Sequence, residues 1–205
     1  MKLTQESKVF LGIIVLTITI IGGAAFLFSR PEKTYTCSEL IAGTSHIAGN
    51  PDAKACLVEF SDYQCPACAS FAPVVSDIIR TYGDRLAVVY RHFPLDQHEY
   101  AISSALAAEA AGAQGKFWEM SETLFAQQTN LTADTGSSLA RELGLDMQRF
   151  QASLEDPTLK ASIEQDKADA LRLGIRETPT FFLNGTKLTL YSKDDLLRAV
   201  EEALR

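Results

Sequence analysis

The sequence predicts an α/β fold in which a strand–helix–strand unit and a strand–strand–helix unit flank an inserted block of helices. A membrane-spanning helix is expected ahead of it. Three observations carry this reading. The apolar runs Ala55–Phe60 and Leu86–Tyr90 enclose a segment where Phe71, Val74, Val75, Ile78 and Ile79 recur at the spacing of one helix face. From Gln97 to Leu173 no strand pattern appears. Beyond Gly174, the runs Thr180–Leu183 and Thr186–Leu190 flank Asn184-Gly185, a strong two-residue hairpin signal.

With 205 residues, 46% of them hydrophobic, the chain can bury one good core and is short for two. The net charge of −7 is spread along the chain with no basic run, which argues against nucleic acid as a partner. After a tail of residues 1–8, Val9–Phe28 carries no charged side chain. At about 1.5 Å per residue this run reaches across a hydrocarbon core of roughly 30 Å. A secretory signal cut after Ala25 is the competing reading, but the apolar run continues through Phe26-Leu27-Phe28 beyond that site. Charges on the two flanks nearly balance, so they set no orientation. Either reading sends the body to the extracytoplasmic side, the periplasm or cell exterior, where disulfides persist.

Residues 29–48 read as a tether and 49–205 as the folded domain, with the helical insert at about 97–173. Within the insert, Ala101–Ala113 is strongly helical by propensity. Phe117, Met120, Leu124 and Phe125 line the next helix, and Leu139, Ala140 and Leu143 mark another. Asp146 can cap a short helix holding Phe150 and Leu154, and a last one runs to Gly174, a C-terminal cap. Ser192 and Asp195 form a capping-box pattern before a final helix with Leu196, Leu197, Val200 and Leu204 on one face.

The chemistry concentrates at Cys65-Pro66-Ala67-Cys68, at the junction of the first strand and helix. Pro66 suits the first helical position, where a missing N–H costs nothing. Cys65 then meets the free N–H groups and positive dipole end of the helix, which favour thiolate over thiol. Cys68 lies one turn further in, within disulfide reach. Cys56 sits on the buried strand, where an inert core cysteine is ordinary, and Cys37 in the tether region. A Cys37–Cys56 disulfide would account for both, while the two could equally remain unpaired. The histidines His46, His92 and His98 show no metal-ligand spacing.

Three motifs stand in order: Glu59-Phe60-Ser61-Asp62-Tyr63-Gln64-Cys65-Pro66-Ala67-Cys68, Gln114-Gly115-Lys116-Phe117-Trp118-Glu119-Met120, and Thr178-Pro179-Thr180-Phe181-Phe182. Together they resemble the thioredoxin fold, and the helical insert resembles its DsbA-like branch, over about Gly49 to the C-terminus. The resemblance implies a thiol–disulfide oxidoreductase with Cys65 as nucleophile and Cys68 as resolving cysteine, needing no cofactor. It casts Glu59 as a buried acid that takes the Cys68 proton. It makes Thr178-Pro179 the cis-proline site that pairs with an extended substrate.

Reduced or unfolded exported proteins become the implied substrates, and a quinone-linked membrane protein of DsbB or VKOR type the implied recycling partner. Pro66 and Ala67 would tune the redox potential. Where the strongest oxidants of this branch carry Pro-His, this chain has Pro-Ala, so a weaker oxidant than about −120 mV is expected. The glycine often found after the hairpin in similar sequences is also missing from Thr189-Leu190-Tyr191-Ser192. The alternatives are a reductase or isomerase, a zinc module using all four cysteines, or a non-catalytic module that holds substrates.

Overall fold

The structure, a computed structural model, describes residues 5–28, 33–43 and 45–205, with the side chains of the first helix given from Phe10 to Gly23. Expectations for residues 1–4, at the head of the tail, and for 29–32 and Thr44, in the tether, lie outside the described residues. The chain divides into two compact units, Met1–Lys33 and Thr34–Arg205.

The first unit holds helix α1, Gln5–Phe28, formed over the uncharged run. Among the described residues, no helix is long and apolar enough to cross a membrane.

The second unit is built on a mixed sheet. Its strands are β1 (His46–Gly49), β2 (Ala55–Ser61), β3 (Leu86–His92), β4 (Thr180–Leu183) and β5 (Thr186–Lys187), in the order β1-β3-β2-β4-β5. Strand β2 pairs parallel to β3 and antiparallel to β4, so it is central. Its residues are all buried, which is why it reads as an unbroken apolar run rather than an alternating one. The 29–48 segment supplies β1 on the far edge and helix α2, Cys37–Leu40, closed by a Thr36/Glu39 capping box.

Helix α3, Pro66–Tyr82, makes the crossover between the parallel neighbours β2 and β3, a connection whose expected hand is right. Its Val75 and Ile78 share a core with Leu57 and Val88 and with Leu196 and Val200 of α9, Lys193–Ala203. On the opposite face, Cys56, Val58 and Phe60 pack with Leu40, Ala170 and Ile175. Alternation along β2 therefore aims Glu59 at the α3 side.

The insert comprises α4 (Ala101–Gly112), α5 (Phe117–Ala126), a 3-10 turn (Gln128–Asn130), α6 (Thr135–Glu142), α7 (Met147–Leu154) and α8 (Pro157–Arg172). The Asp146 carboxylate caps α7 by accepting from the Gln148 and Arg149 N–H groups. Its core of Ala108, Met120, Leu124, Leu139 and Phe150 extends to Tyr63, Cys65, Cys68 and Tyr90. The insert thus packs directly beneath the cysteine pair.

The hairpin turn has Asn184 at φ 50° and Gly185 at φ 83°, as a type I′ turn requires. Gly185 is needed twice over, since a Cβ there would fall 1.5 Å from the Tyr35 carbonyl oxygen. The expected strand to Leu190 is corrected: β5 stops at Lys187, with one further bond from the Leu188 N–H to the Phe181 oxygen. Continuing the register would set Leu190 against Pro179, which has no N–H to give.

Candidate active site

The loop between β2 and α3 is organised by Asp62. Its carboxylate accepts from the Gln64 N–H at 2.7 Å, from the Leu95 N–H at 2.8 Å, and meets His98 Nδ1 at 2.8 Å. Its carbonyl accepts from the Cys65 N–H at 3.1 Å. Held this way, Cys65 is extended at φ −78°, ψ 119° and caps α3, with Pro66 in the first turn. A proline spends no helical bond there.

Cys65 and Cys68 are both free thiols, 7% and 0% exposed. The Cys68 thiol donates to Cys65 and does most to favour its thiolate. Partial burial opposes this, while the Thr178 hydroxyl and the N–H groups of Cys68 and Ala67 assist. The balance brings Cys65 down from 9.0 to about 5. Cys68 moves the other way. Burial pushes its thiol far up, helped by its bond to Cys65 and by the charge of Glu59, with Ser61 opposing. The pair is therefore polarised into one ready nucleophile and one thiol that needs a base.

Glu59 is 3% exposed and lies on β2, beside Tyr90 of β3 and Phe181 of β4. Burial raises its carboxyl from 4.5 to about 7. The nearby Ser61 hydroxyl partly offsets that, and the Cys65 charge adds to it. Among the described residues, Glu59 Oε1, Ser61 Oγ, Tyr90 OH and Thr178 Oγ1 are buried side-chain atoms without a hydrogen-bond partner. Buried polar atoms are ordinarily hydrogen-bonded, and three of these four, Glu59, Ser61 and Thr178, stand beside the cysteine pair.

Thr178–Pro179 is a cis peptide bond, and the Cys65 Sγ lies 3.4 Å from the Thr178 carbonyl oxygen. A groove of about 330 Å³ opens beside it, lined by Phe71, Thr178, Pro179, Phe181, Leu188 and Leu190 among others. Cys37 and Cys56 form a disulfide that ties α2 to β2 across a Cα–Cα distance of 6.4 Å. The structure thus gathers Glu59, Cys65, Pro66, Ala67, Cys68, Thr178 and Pro179 at one place and sets Cys37 and Cys56 apart. Two of the four thiols that a zinc module would need are consumed by each other.

Sequence reasoning missed several groups. Asp62 has a local signal, an Asp accepting from the N–H two residues on, as in an Asx turn. Gln128 has none. Its side-chain amide reaches in from the insert and donates to the Cys65 carbonyl at 2.7 Å and the Tyr63 carbonyl at 2.9 Å. Two of the three histidines converge on one carboxylate: His46 Nε2 and His92 Nε2 bond the two oxygens of Glu109 at 3.0 and 2.8 Å. Burial alone would raise Glu109, but these bonds outweigh it and hold the carboxyl at about 2. Arg91 is buried between Asp166 and Asp169, 2.7 Å from each, and donates to the Leu40 carbonyl. These networks brace the insert and α2 against the sheet.

Comparison with known proteins agrees with this geometry. A family model described as Thioredoxin matches residues 42–202. A thioredoxin-like oxidoreductase from Silicibacter pomeroyi DSS-3 is 29% identical with a TM-score of 0.69, over 81% of this chain and 95% of that one. BdbD from Bacillus subtilis, in its oxidised form, shares the fold at 21% identity and a TM-score of 0.71, over 84% of this chain and 97% of that one. Among curated proteins, the Na(+)/H(+) antiporter NhaA 1 of Mycobacterium sp. (strain KMS) is 38% identical over 160 residues, covering 76% of this chain and 26% of the antiporter. The chain thus spans about a quarter of the length of the curated relatives it matches. With the cysteine pair at the head of α3, the cis Thr178–Pro179 bond beside it and the helical insert between the two halves, the chain belongs to the thioredoxin family.

Proposed function

We infer that this chain is a thiol–disulfide oxidoreductase working through Cys65 and Cys68, and we propose that it runs in the oxidising direction on reduced exported proteins. The observation that carries the reading is the geometry of the pair: Cys65 caps the N-terminus of α3, the buried Cys68 lies one turn in, and the cis Thr178–Pro179 bond stands beside them, an arrangement that lowers Cys65 and raises Cys68. A stabilised Cys65 thiolate stabilises the reduced enzyme, and its disulfide becomes the better oxidant.

The cycle begins with a substrate thiolate attacking the Cys65 sulfur of the Cys65–Cys68 disulfide. The S–S bond breaks, Cys68 leaves as a thiolate and takes a proton from the Glu59 carboxyl, and a mixed disulfide joins substrate to Cys65. A second substrate thiolate attacks the substrate sulfur of that bond and expels Cys65 as a thiolate. Two electrons pass from the substrate to the cysteine pair. In the reverse escape, Cys68 returns its proton to Glu59 and attacks Cys65, releasing the substrate. The groove beside Thr178 and Pro179 suits an extended substrate segment laid along that loop.

The remaining organisation is proposed with it. Residues 1–8 are proposed as a tail and the uncharged Val9–Phe28 run, on its sequence alone, as a single membrane anchor that leaves the catalytic domain extracytoplasmic, although no helix among the described residues is long and apolar enough to cross a membrane. A quinone-linked membrane protein of DsbB or VKOR type would reoxidise the pair. Antiport belongs to the longer relatives, and nothing in the cysteine site performs it.

A second reading, reductase or isomerase, draws on Ala67, whose methyl group gives the Cys65 thiolate neither charge nor hydrogen bond. The equilibrium potential of the pair in the full chain, titrated against glutathione, separates the two. A value towards about −120 mV supports the oxidase, one near about −180 mV favours an isomerase, and Ala67→His moves it upward. A value at or below about −270 mV refutes the oxidising direction. Absence of a reversible Cys65–Cys68 disulfide refutes the enzyme.

A further inference from the structure

We propose that Gln128 is a positioning residue for the nucleophile, through which the helical insert sets the thiolate affinity of Cys65. The inference rests on the proposed role of Cys65 and extends it to a residue outside all three sequence motifs. Gln128 is half-buried in the 3-10 turn after α5, far from the cysteine pair in sequence. Its amide nitrogen donates to the Cys65 carbonyl at 2.7 Å and to the Tyr63 carbonyl at 2.9 Å. A side-chain amide has two N–H groups, and these two carbonyls use both.

The two carbonyls bracket Gln64. Fixing them fixes the peptide planes on both sides of Cys65, together with the Asp62 bonds to the Gln64 and Cys65 N–H groups. The loop is therefore gripped from the sheet side by Asp62 and from the insert side by Gln128. Cys65 Sγ is aimed at the N–H groups of Ala67 and Cys68 by this grip. Those groups favour the thiolate. Gln128 also answers the negative ends of two carbonyl dipoles lying next to the forming charge, one of them already holding the Ala69 N–H at 3.1 Å.

Three substitutions test this: Gln128→Met removes both donors without adding charge, and two charged variants report the local field. In Gln128→Glu, a carboxylate of nearly the same shape faces two carbonyls with no N–H to give and adds negative charge near Cys65. In Gln128→Lys, donors return with a positive charge. Because the added charges alone push the Cys65 midpoint in opposite directions, the neutral Gln128→Met carries the decision.

The test is a pH titration of the Cys65 thiolate in the full reduced chain by its ultraviolet absorbance, alongside circular dichroism to confirm folding. Gln128→Met is expected to raise the midpoint by about one unit, on the order of a lost neutral hydrogen bond, and Gln128→Glu by more because it adds negative charge. Gln128→Lys is expected to leave it at or below the wild-type value. An unchanged or lowered midpoint in folded Gln128→Met overturns the proposal. If Gln128→Met does not fold, Gln128→Asn, whose shorter side chain draws the amide back from both carbonyls, takes its place, and an unchanged midpoint there refutes the role. The titration needs no turnover. Failure of the wild-type chain to form a reversible disulfide would therefore refute the oxidoreductase reading and leave this result standing.

Discussion

Replacing Glu59 by Gln should change the pH dependence of stability by an amount that the site itself sets. Burial raises the Glu59 carboxyl from 4.5 to about 7. In the unfolded chain the group ionises near the lower value, while in the folded chain it stays protonated up to the higher one. Between the two, the unfolded state binds fewer protons, so stability falls as pH rises through that window. Below the window the cost is absent, and above about 7 it is complete. At about 1.4 kcal/mol per unit, the buried charge costs the fold about 3 kcal/mol.

The replacing glutamine would carry no charge at any pH. The stability of Glu59→Gln relative to wild type should therefore climb by about 3 kcal/mol from acid to neutral pH, on top of any constant offset from the new amide. Urea unfolding of the reduced chains across that range reads the difference directly. Cys65 titrates in both proteins, so its contribution cancels apart from its coupling to Glu59. The Cys65 charge also contributes to the shift, so the oxidised pair of proteins should show a smaller climb. A stability difference that stays flat with pH would refute the reasoning, for it would mean that Glu59 titrates as an ordinary exposed acid. The same substitution should slow escape from a mixed disulfide, since Cys68 then lacks its base.

Thr178→Val removes a buried hydroxyl that has no hydrogen-bond partner in the structure and whose nearness favours the Cys65 thiolate. The Cys65 midpoint should rise by about one unit and the potential should become more reducing, and an unchanged titration would exclude that hydroxyl as a donor. The Cys37–Cys56 disulfide closes a separation of 19 residues, so Cys37→Ser with Cys56→Ser should cost about 3 kcal/mol by chain entropy. Thermal melts under non-reducing conditions check the loss. Thiol exchange at Cys65 should persist, because that disulfide stands apart from the site.

What was legible in the sequence is what short stretches decide by themselves. Cys65 and Pro66 occupy adjacent positions at a helix start, and the chemistry of a helix N-terminus needs no distant partner to be read. Asn184-Gly185 declares its turn through the backbone angles that only such residues accept readily. The burial of Glu59 was different. An acid in an apolar run fits a strand edge facing water as well as a buried base, and only the pairing of β2 between β3 and β4 puts it inside. The early end of β5 likewise depended on which residue of β4 would stand opposite Leu190.

The least legible features join residues far apart in the chain through single side chains. Arg91 finds Asp166 and Asp169, and His46 and His92 find Glu109, at separations where no local pattern operates. Both networks fasten the insert to the sheet, so the insert is held as a rigid neighbour of the cysteine loop. That rigidity is what gives Gln128 its leverage. A donor on a loosely held turn would trade its carbonyl partners for water at little cost, whereas one braced by buried ion pairs keeps its aim. The insert thereby acts on the nucleophile without supplying a group that touches sulfur. Part of the redox character of this chain should then lie in the fastening of its insert, outside the Cys-Pro-Ala-Cys sequence from which such character is usually read.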